Sequence, residues 1–293
     1  MKCLFEGTGV AIVTPFSAGK IDFDAFEKLI ERAIAGGVKA IIVLGTTGEG
    51  ATVKLKEREK IIKFSARVIA GRVKLIVGTG HNDFSTAYRN TLEAKRLGAD
   101  GALIVTPYYN KTTQEGLIEY YARLSEIGLP IIMYNVPSRT GLSISLETIK
   151  TLLDLEMIYG IKESSSDILR IIELSKICRD KISVYSGEDG LNYLFYFLGG
   201  KGCISVSANI LPQKVQMVYD YVCDGEFKNA IELQDELKPL NDALFIETNP
   251  IPVKYLLYKL GYIENELRLP LVGLSEKNYT ILDTIAADII KNC

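Results

Sequence analysis

The chain has 293 residues, 47% hydrophobic and 24% charged, with a formal net charge of −2 at pH 7. That is the composition of an ordinary globular protein with room for one large core and an appendage, and its scattered, nearly balanced charges leave no basic face for nucleic acid or an anionic membrane. The opening residues MKCLFEGTGVAIV lack the apolar run of a signal peptide and no stretch reaches the roughly 18 apolar residues of a spanning helix, so the expected setting is the cytoplasm and the expected chemistry that of small molecules.

Short apolar, β-branched runs ending in small polar residues or tyrosine recur along the chain: GVAIVTPF at 9–16, AIIVLGTTGE at 40–49, VKLIVGTG at 73–80 and ALIVTPYYN at 102–110. PIIMYNVPSRTG at 130–141, MIYGIKESS at 157–165, ISVYSGEDG at 182–190 and GCISVSAN at 202–209 continue the series. The intervals read as amphipathic helices. In FDAFEKLIERAIAGG, apolar residues at Phe23, Phe26, Leu29, Ile30, Ala33 and Ile34 make one face, Asp22 is placed as N-cap and Gly36–Gly37 as the stop. Strands that are apolar nearly throughout, each followed by a helix, predict a parallel sheet covered by helices. An open doubly wound sheet is the alternative; eight such units favour a closed (β/α)₈ barrel of the TIM type. Strand signals stop near 225, and FKNAIELQDELKPLNDALF, IPVKYLLYKLG and SEKNYTILDTIAADIIK predict a helical appendage, giving a barrel over 1–225 and a helical segment over 226–293.

In such a barrel the chemistry sits at the carboxyl ends of the strands. That rule gathers Thr46, Thr47, Tyr108, Tyr109, Tyr134, Arg139, Lys162, Ser186 and Ser205 around one mouth. Lys162 stands out as a lysine at the end of a run that reads as a buried strand. A solvated loop lysine is the plain alternative. Held in a partly desolvated pocket, a lysine amine favours its neutral form, which attacks carbonyls to give a Schiff base. Tyr134, at the end of the preceding strand, is placed to move protons beside it, with an aromatic core cap as the alternative. GTTGE at 45–49 offers hydroxyls and backbone N–H groups at a tight turn, a cradle for a small carboxylate. It lacks the G-K-[ST] ending of a phosphate loop.

Cofactor and metal signals are weak. The single histidine, His81, has no carboxylate cluster around it, and no G-x-G-x-x-G follows a strand. Glu188 and Asp189 in the seventh loop oppose phosphate, which disfavours pyridoxal phosphate. No cofactor and no metal are expected. The five cysteines, Cys3, Cys178, Cys203, Cys223 and Cys293, form no C-x-x-C pair and read as buried free thiols.

GTTGE, TPYYN at 106–110, YNVPSRTG at 134–141, GIKE at 160–163 and NPIPVK at 249–254 together resemble the dihydrodipicolinate synthase family of pyruvate-dependent class I aldolases, from the first strand to the last helices. The tyrosine and lysine signatures are shared with N-acetylneuraminate lyase and other sugar-acid aldolases; S-R-T-G is more selective. The resemblance implies condensation of pyruvate with L-aspartate 4-semialdehyde to 4-hydroxy-tetrahydrodipicolinate, on the route to diaminopimelate and lysine. It implies that Lys162 carries the imine and that Thr46 and Thr47 bind the pyruvate carboxylate. Tyr134 would relay protons through Thr46 to Tyr109 of a neighbouring subunit, and Arg139 would grip the semialdehyde carboxylate. Gly187 and Ile204 would line the pocket with backbone. A homo-oligomer follows, at least a dimer and, as in most members, a tetramer. A sugar-acid aldolase and a non-catalytic ligand-binding barrel are the rival readings.

One departure is visible. Feedback-inhibited members hold lysine between subunits with two histidines and a glutamate; the matching positions here are Leu55, Arg58 and Thr86, with Asn82 and Tyr108 kept. The resemblance therefore implies an enzyme insensitive to millimolar L-lysine.

Overall fold

The computed structural model describes residues 1–291. Eight parallel strands close on themselves: β1 (Gly7–Ala11), β4 (Ala40–Val43), β5 (Lys74–Gly78), β6 (Gly101–Val105), β7 (Ile131–Asn135), β8 (Ile158–Glu163), β9 (Ser183–Ser186) and β10 (Gly202–Ser205). β1 pairs with both β4 and β10, which shuts the barrel and leaves no free edge. β2 (Phe16–Ser17) and β3 (Lys20–Ile21) form a small antiparallel hairpin outside it.

Helices α1 (Phe23–Ala35), α2 (Leu55–Ile69), α3 (Phe84–Arg96) and α4 (Gln114–Ser125) follow the first strands; the short α5 (Pro137–Thr140) and α6 (Leu146–Leu152) follow β7. α7 (Ile168–Cys178), α8 (Asn192–Phe197) and α9 (Pro212–Cys223) complete the shell, and α10 (Phe227–Ala243), α11 (Ile251–Lys259) and α12 (Glu276–Lys291) lie beyond it. The signals read from sequence account for the boundaries. Asp22 accepts from the Ala25 N–H at the start of α1, Gly36 ends it, and Ala25, Phe26, Leu29, Ile30 and Ala33 are its buried face. The eighth strand is shorter than its apolar run: it stops at Ser205, and Ser207–Asn209 turn as a 3₁₀ segment.

Alternation along the strands separates two cores. Outward residues such as Ile41, Val77, Ile104, Met133 and Ile161 meet the helices. Inward residues, among them Ala11, Ile42, Ile76, Leu103, Ile132, Tyr134, Tyr185 and Ile204, fill the barrel. At the amino-terminal end Tyr185 stacks on Phe5, ring centroids 4.4 Å apart, and donates its hydroxyl to the Phe5 carbonyl. The floor is therefore packed, and a cavity lies at the carboxyl end.

The thiols divide. Cys178 and Cys203 are buried, and burial pushes both up to about 12. Cys223 is exposed at the end of α9 and Cys3 half-buried, which corrects the expectation of buried thiols for those two; Cys293 lies outside the described residues.

The C-terminal segment is tied to the barrel by a buried ion pair. The Lys254 ammonium, fully buried on α11, donates to Glu49 at 2.5 Å and to the Glu266 carbonyl, over the face of Phe16. Glu49 also accepts from the Arg268 N–H. Burial pulls the Lys254 amine below its usual range, opposed chiefly by Glu49. Breaking such a pair by removing one partner costs about 3–5 kcal/mol, because the other charge stays buried.

Candidate active site

Parallel pairing of β7 with β8 sets Tyr134 directly beside Lys162, both on inward positions of their strands. The Lys162 nitrogen lies 4.5 Å from the centroid of the Tyr134 ring, and the two side chains are 5% and 7% exposed. A strand-end lysine thus ends inside the barrel rather than in solvent. Its neighbour Glu163 points outward, where it accepts from Asn135, the Ser165 N–H and Arg170. That buried network fixes the end of β8 and, with it, the direction of Lys162.

Gly187 lets the next loop close over the lysine. A Cβ there would fall 2.0 Å from Ser164 Oγ and 2.8 Å from Lys162 Cε, so only glycine fits. The loop itself is held by Asp189, whose carboxylate accepts from the Val206 and Ser207 N–H groups and from Asn192.

On the opposite wall, GTTGE turns sharply. Leu44 and Glu49 hold φ of 59° and 52°, left-handed conformations that cost about 1–2 kcal/mol each for residues with a side chain. Gly50 packs so closely that a Cβ would lie 2.1 Å from the Leu44 carbonyl oxygen. Thr14 donates to the Gly48 carbonyl at 2.7 Å, and Asn249 donates to Thr47 Oγ1 at 2.9 Å. Asn249 also accepts from Arg139 through its carbonyl at 3.1 Å, so a residue two positions before α11 joins two walls. Arg139 itself projects from α5 and is exposed.

These walls enclose a cavity of about 180 Å³. Thr46, Thr47, Tyr134, Arg139, Lys162 and Gly187 all line it, as the sequence led one to expect. Ile204 is buried in the barrel interior and does not reach it; Val206 does. Ser186 and Ser205 spend their hydroxyls on the Glu188 carbonyl and the Ala208 N–H. Tyr109 stands apart, 91% exposed and with φ of 71°. Tyr108 lines an adjoining cleft of about 450 Å³, which shares Thr46, Tyr134, Arg139 and Asn249 with the cavity. His81 is on the cleft wall, its Nδ1 accepting from the Asp83 N–H. Among the described residues no group of three or more histidine, cysteine, aspartate or glutamate side chains comes together as a metal site.

Ser138, Ser164, Phe245, Asn249 and Glu188 also line the cavity, and sequence reasoning gave none of them a part in binding. Asn249 opens the NPIPVK motif, which was the available signal; Phe245 follows a helix that nothing in the sequence aims at the barrel. The Glu188 carboxyl is half-buried, and burial, then Asp189, pushes it above the ordinary range while Lys162 opposes the shift.

An enclosed space holding an amine, a phenol and two hydroxyls, with a guanidinium at the rim, suits a carbonyl compound bearing a carboxylate. Residues 4–289 match the model of the dihydrodipicolinate synthetase family. The chain belongs to that family. A 4-hydroxy-tetrahydrodipicolinate synthase of Alkaliphilus oremlandii is 47% identical over 276 residues, 94% of this chain and 95% of that protein. One from Thermotoga neapolitana is 45% identical over 284 residues, 95% and 97% of the two chains. The crystal structure of the dihydrodipicolinate synthase of Thermotoga maritima superposes with a TM-score of 0.96 at 42% identity, covering 98% of this chain and 99% of that one. A solved relative described as a monomeric dihydrodipicolinate synthase variant has the same TM-score and identity, covering 98% of this chain and 97% of that one.

Proposed function

We propose that the protein condenses pyruvate with L-aspartate 4-semialdehyde to give 4-hydroxy-tetrahydrodipicolinate, in lysine and diaminopimelate synthesis. The observation that carries the reading is Lys162 abreast of Tyr134 at the inner end of a closed cavity, in a chain of this family. Lys162 attacks the pyruvate ketone, water leaves, and loss of a methyl proton from the imine gives an enamine. The enamine carbon then adds to the aldehyde, whose oxygen takes up a proton to become the 4-hydroxyl, and the amino group of the added chain, once deprotonated, attacks the re-formed imine carbon and displaces the Lys162 amine, which closes the ring of the product. Thr46 and Thr47 hold the pyruvate carboxylate. Tyr134 moves protons between the imine carbon's substituents and Thr46. Arg139 binds the semialdehyde carboxylate through its planar fork.

The exposure of Tyr109 supports a place for it in a neighbouring subunit's proton path, so the working form is a homo-oligomer, at least a dimer and by family habit a tetramer. The enzyme works without a cofactor and in the cytoplasm; no helix among the described residues is long and apolar enough to cross a membrane. Consumption of pyruvate only when the semialdehyde is present, read by a coupled assay, tests the reading. No turnover with both substrates would leave a ligand-binding barrel as the better account.

A further inference from the structure

L-Aspartate 4-semialdehyde carries an ammonium and a carboxylate on one carbon, and Arg139 accounts only for the carboxylate. Four acidic residues follow or end the strands near the mouth, and three of them are committed to partners. Glu49 is bonded to Lys254 and the Arg268 N–H, Glu163 to Asn135, Ser165 and Arg170, and Asp189 to Val206, Ser207 and Asn192. Glu188 forms no ion pair among the described residues; its carboxyl takes a backbone hydrogen bond from Gly190 and feels the charge of Lys162, and it is the acidic residue that lines the cavity. Once pyruvate has taken Lys162 as an imine, the charges left on that wall are Arg139 and Glu188, opposite in sign.

We infer that Glu188 is the specificity residue for the second substrate: its carboxylate holds the α-ammonium of the aldehyde while Arg139 holds the carboxylate. The inference rests on the condensation proposed above. A zwitterion bound between the two has its stereocentre oriented and its aldehyde directed inward to the enamine. Burial already disfavours the charge on Glu188, and a bound ammonium relieves that cost. An aldehyde of the same length without the ammonium gains nothing from this contact.

The test compares the unsubstituted enzyme with Glu188→Gln, which keeps the shape and removes the charge. At saturating pyruvate, KM for L-aspartate 4-semialdehyde should rise roughly ten- to hundredfold, the value of a charge-assisted contact. The inhibition constant of succinic semialdehyde, which lacks the ammonium, should stay within about twofold on the same reasoning. Pyruvate trapped on Lys162 by borohydride should be unchanged in the variant, which also reports an intact fold. Equal weakening toward both aldehydes, or toward neither, would overturn the role of Glu188. Failure to trap pyruvate on the unsubstituted chain is a separate result, which would overturn the Schiff-base reading itself.

Discussion

Arginine and lysine differ at this mouth in what their charges can do. A compact amine on a flexible stem can attack a carbonyl; a guanidinium stays charged and recognises carboxylates in two-point contact. Lys162 is enclosed, whereas Arg139 is exposed at the rim, anchored by the Asn249 carbonyl. Removing the guanidinium therefore leaves the amine's surroundings intact. Arg139→Leu is expected to lower kcat/KM for the semialdehyde by roughly ten- to hundredfold while pyruvate imine formation proceeds at its former rate. Stopped-flow or trapping measurements of the imine beside steady-state turnover separate the two, and equal losses would remove Arg139 from second-substrate binding. At this scale the sequence was legible where a residue ends a strand, because strand parity and the barrel rule fix where it lands. It was not legible for Asn249 or Glu188. Their place depends on hydrogen bonds to Thr47, 202 residues away, and on which neighbouring carboxylates are already committed.

Elements meet at α2, whose first turn carries two devices. Glu57 accepts from the Lys54 N–H and holds Arg268 in a two-point contact, both distances 2.7 Å, tying α2 to the segment between α11 and α12. Arg268 holds the Glu57 carboxyl down to about 2. The folded value lies below the unfolded one, so its stabilisation is complete above about pH 4.5 and is lost as pH falls from there toward 2. Glu57→Gln should lower stability at pH 7 and flatten the decline of the urea midpoint between pH 5 and 3; an unchanged acid slope would show that the contact does not contribute. The next residue, Arg58, is buried, its guanidinium donating to the Gly78 carbonyl at 2.7 Å, and burial lowers it to about 10. It stands on the cleft wall with Arg89, Leu55 and Thr86, and the carboxylate on that wall, Glu49, is already bonded to Lys254 and the Arg268 N–H. Steady-state rates with both substrates subsaturating should change little as L-lysine is raised to about 10 mM; a midpoint below about 1 mM would show that the missing partners do not matter. The helices and their caps were readable because each depends on residues three or four apart. The commitment of Arg58 to a strand-end carbonyl was not, since only closure of the barrel brings α2 onto β5.

For the whole molecule, closure and assembly are separate problems. The eight strands satisfy one another, and the packed floor of Phe5 and Tyr185 confines access to the carboxyl end. The C-terminal helices complete the mouth: Phe245 and Asn249 line it, and Lys254 neutralises Glu49 beneath it. The unit count announced the barrel, but amphipathic pattern alone could not say where the last three helices dock. Outside the barrel, the Tyr109 ring is exposed and its backbone is held at positive φ, a conformation that costs energy for a residue with a side chain. Sedimentation at assay concentration should give a mass at least twice the 32.4 kDa of one chain. Full turnover by a monomer would contradict a part for Tyr109 in a neighbour's site.

The nucleophile is tested by incubating the protein with pyruvate and borohydride and locating the adduct by peptide mass spectrometry. One reduced pyruvyl group is expected, on Lys162, and none in Lys162→Ala. Unmodified protein, or an adduct on another lysine, would contradict it.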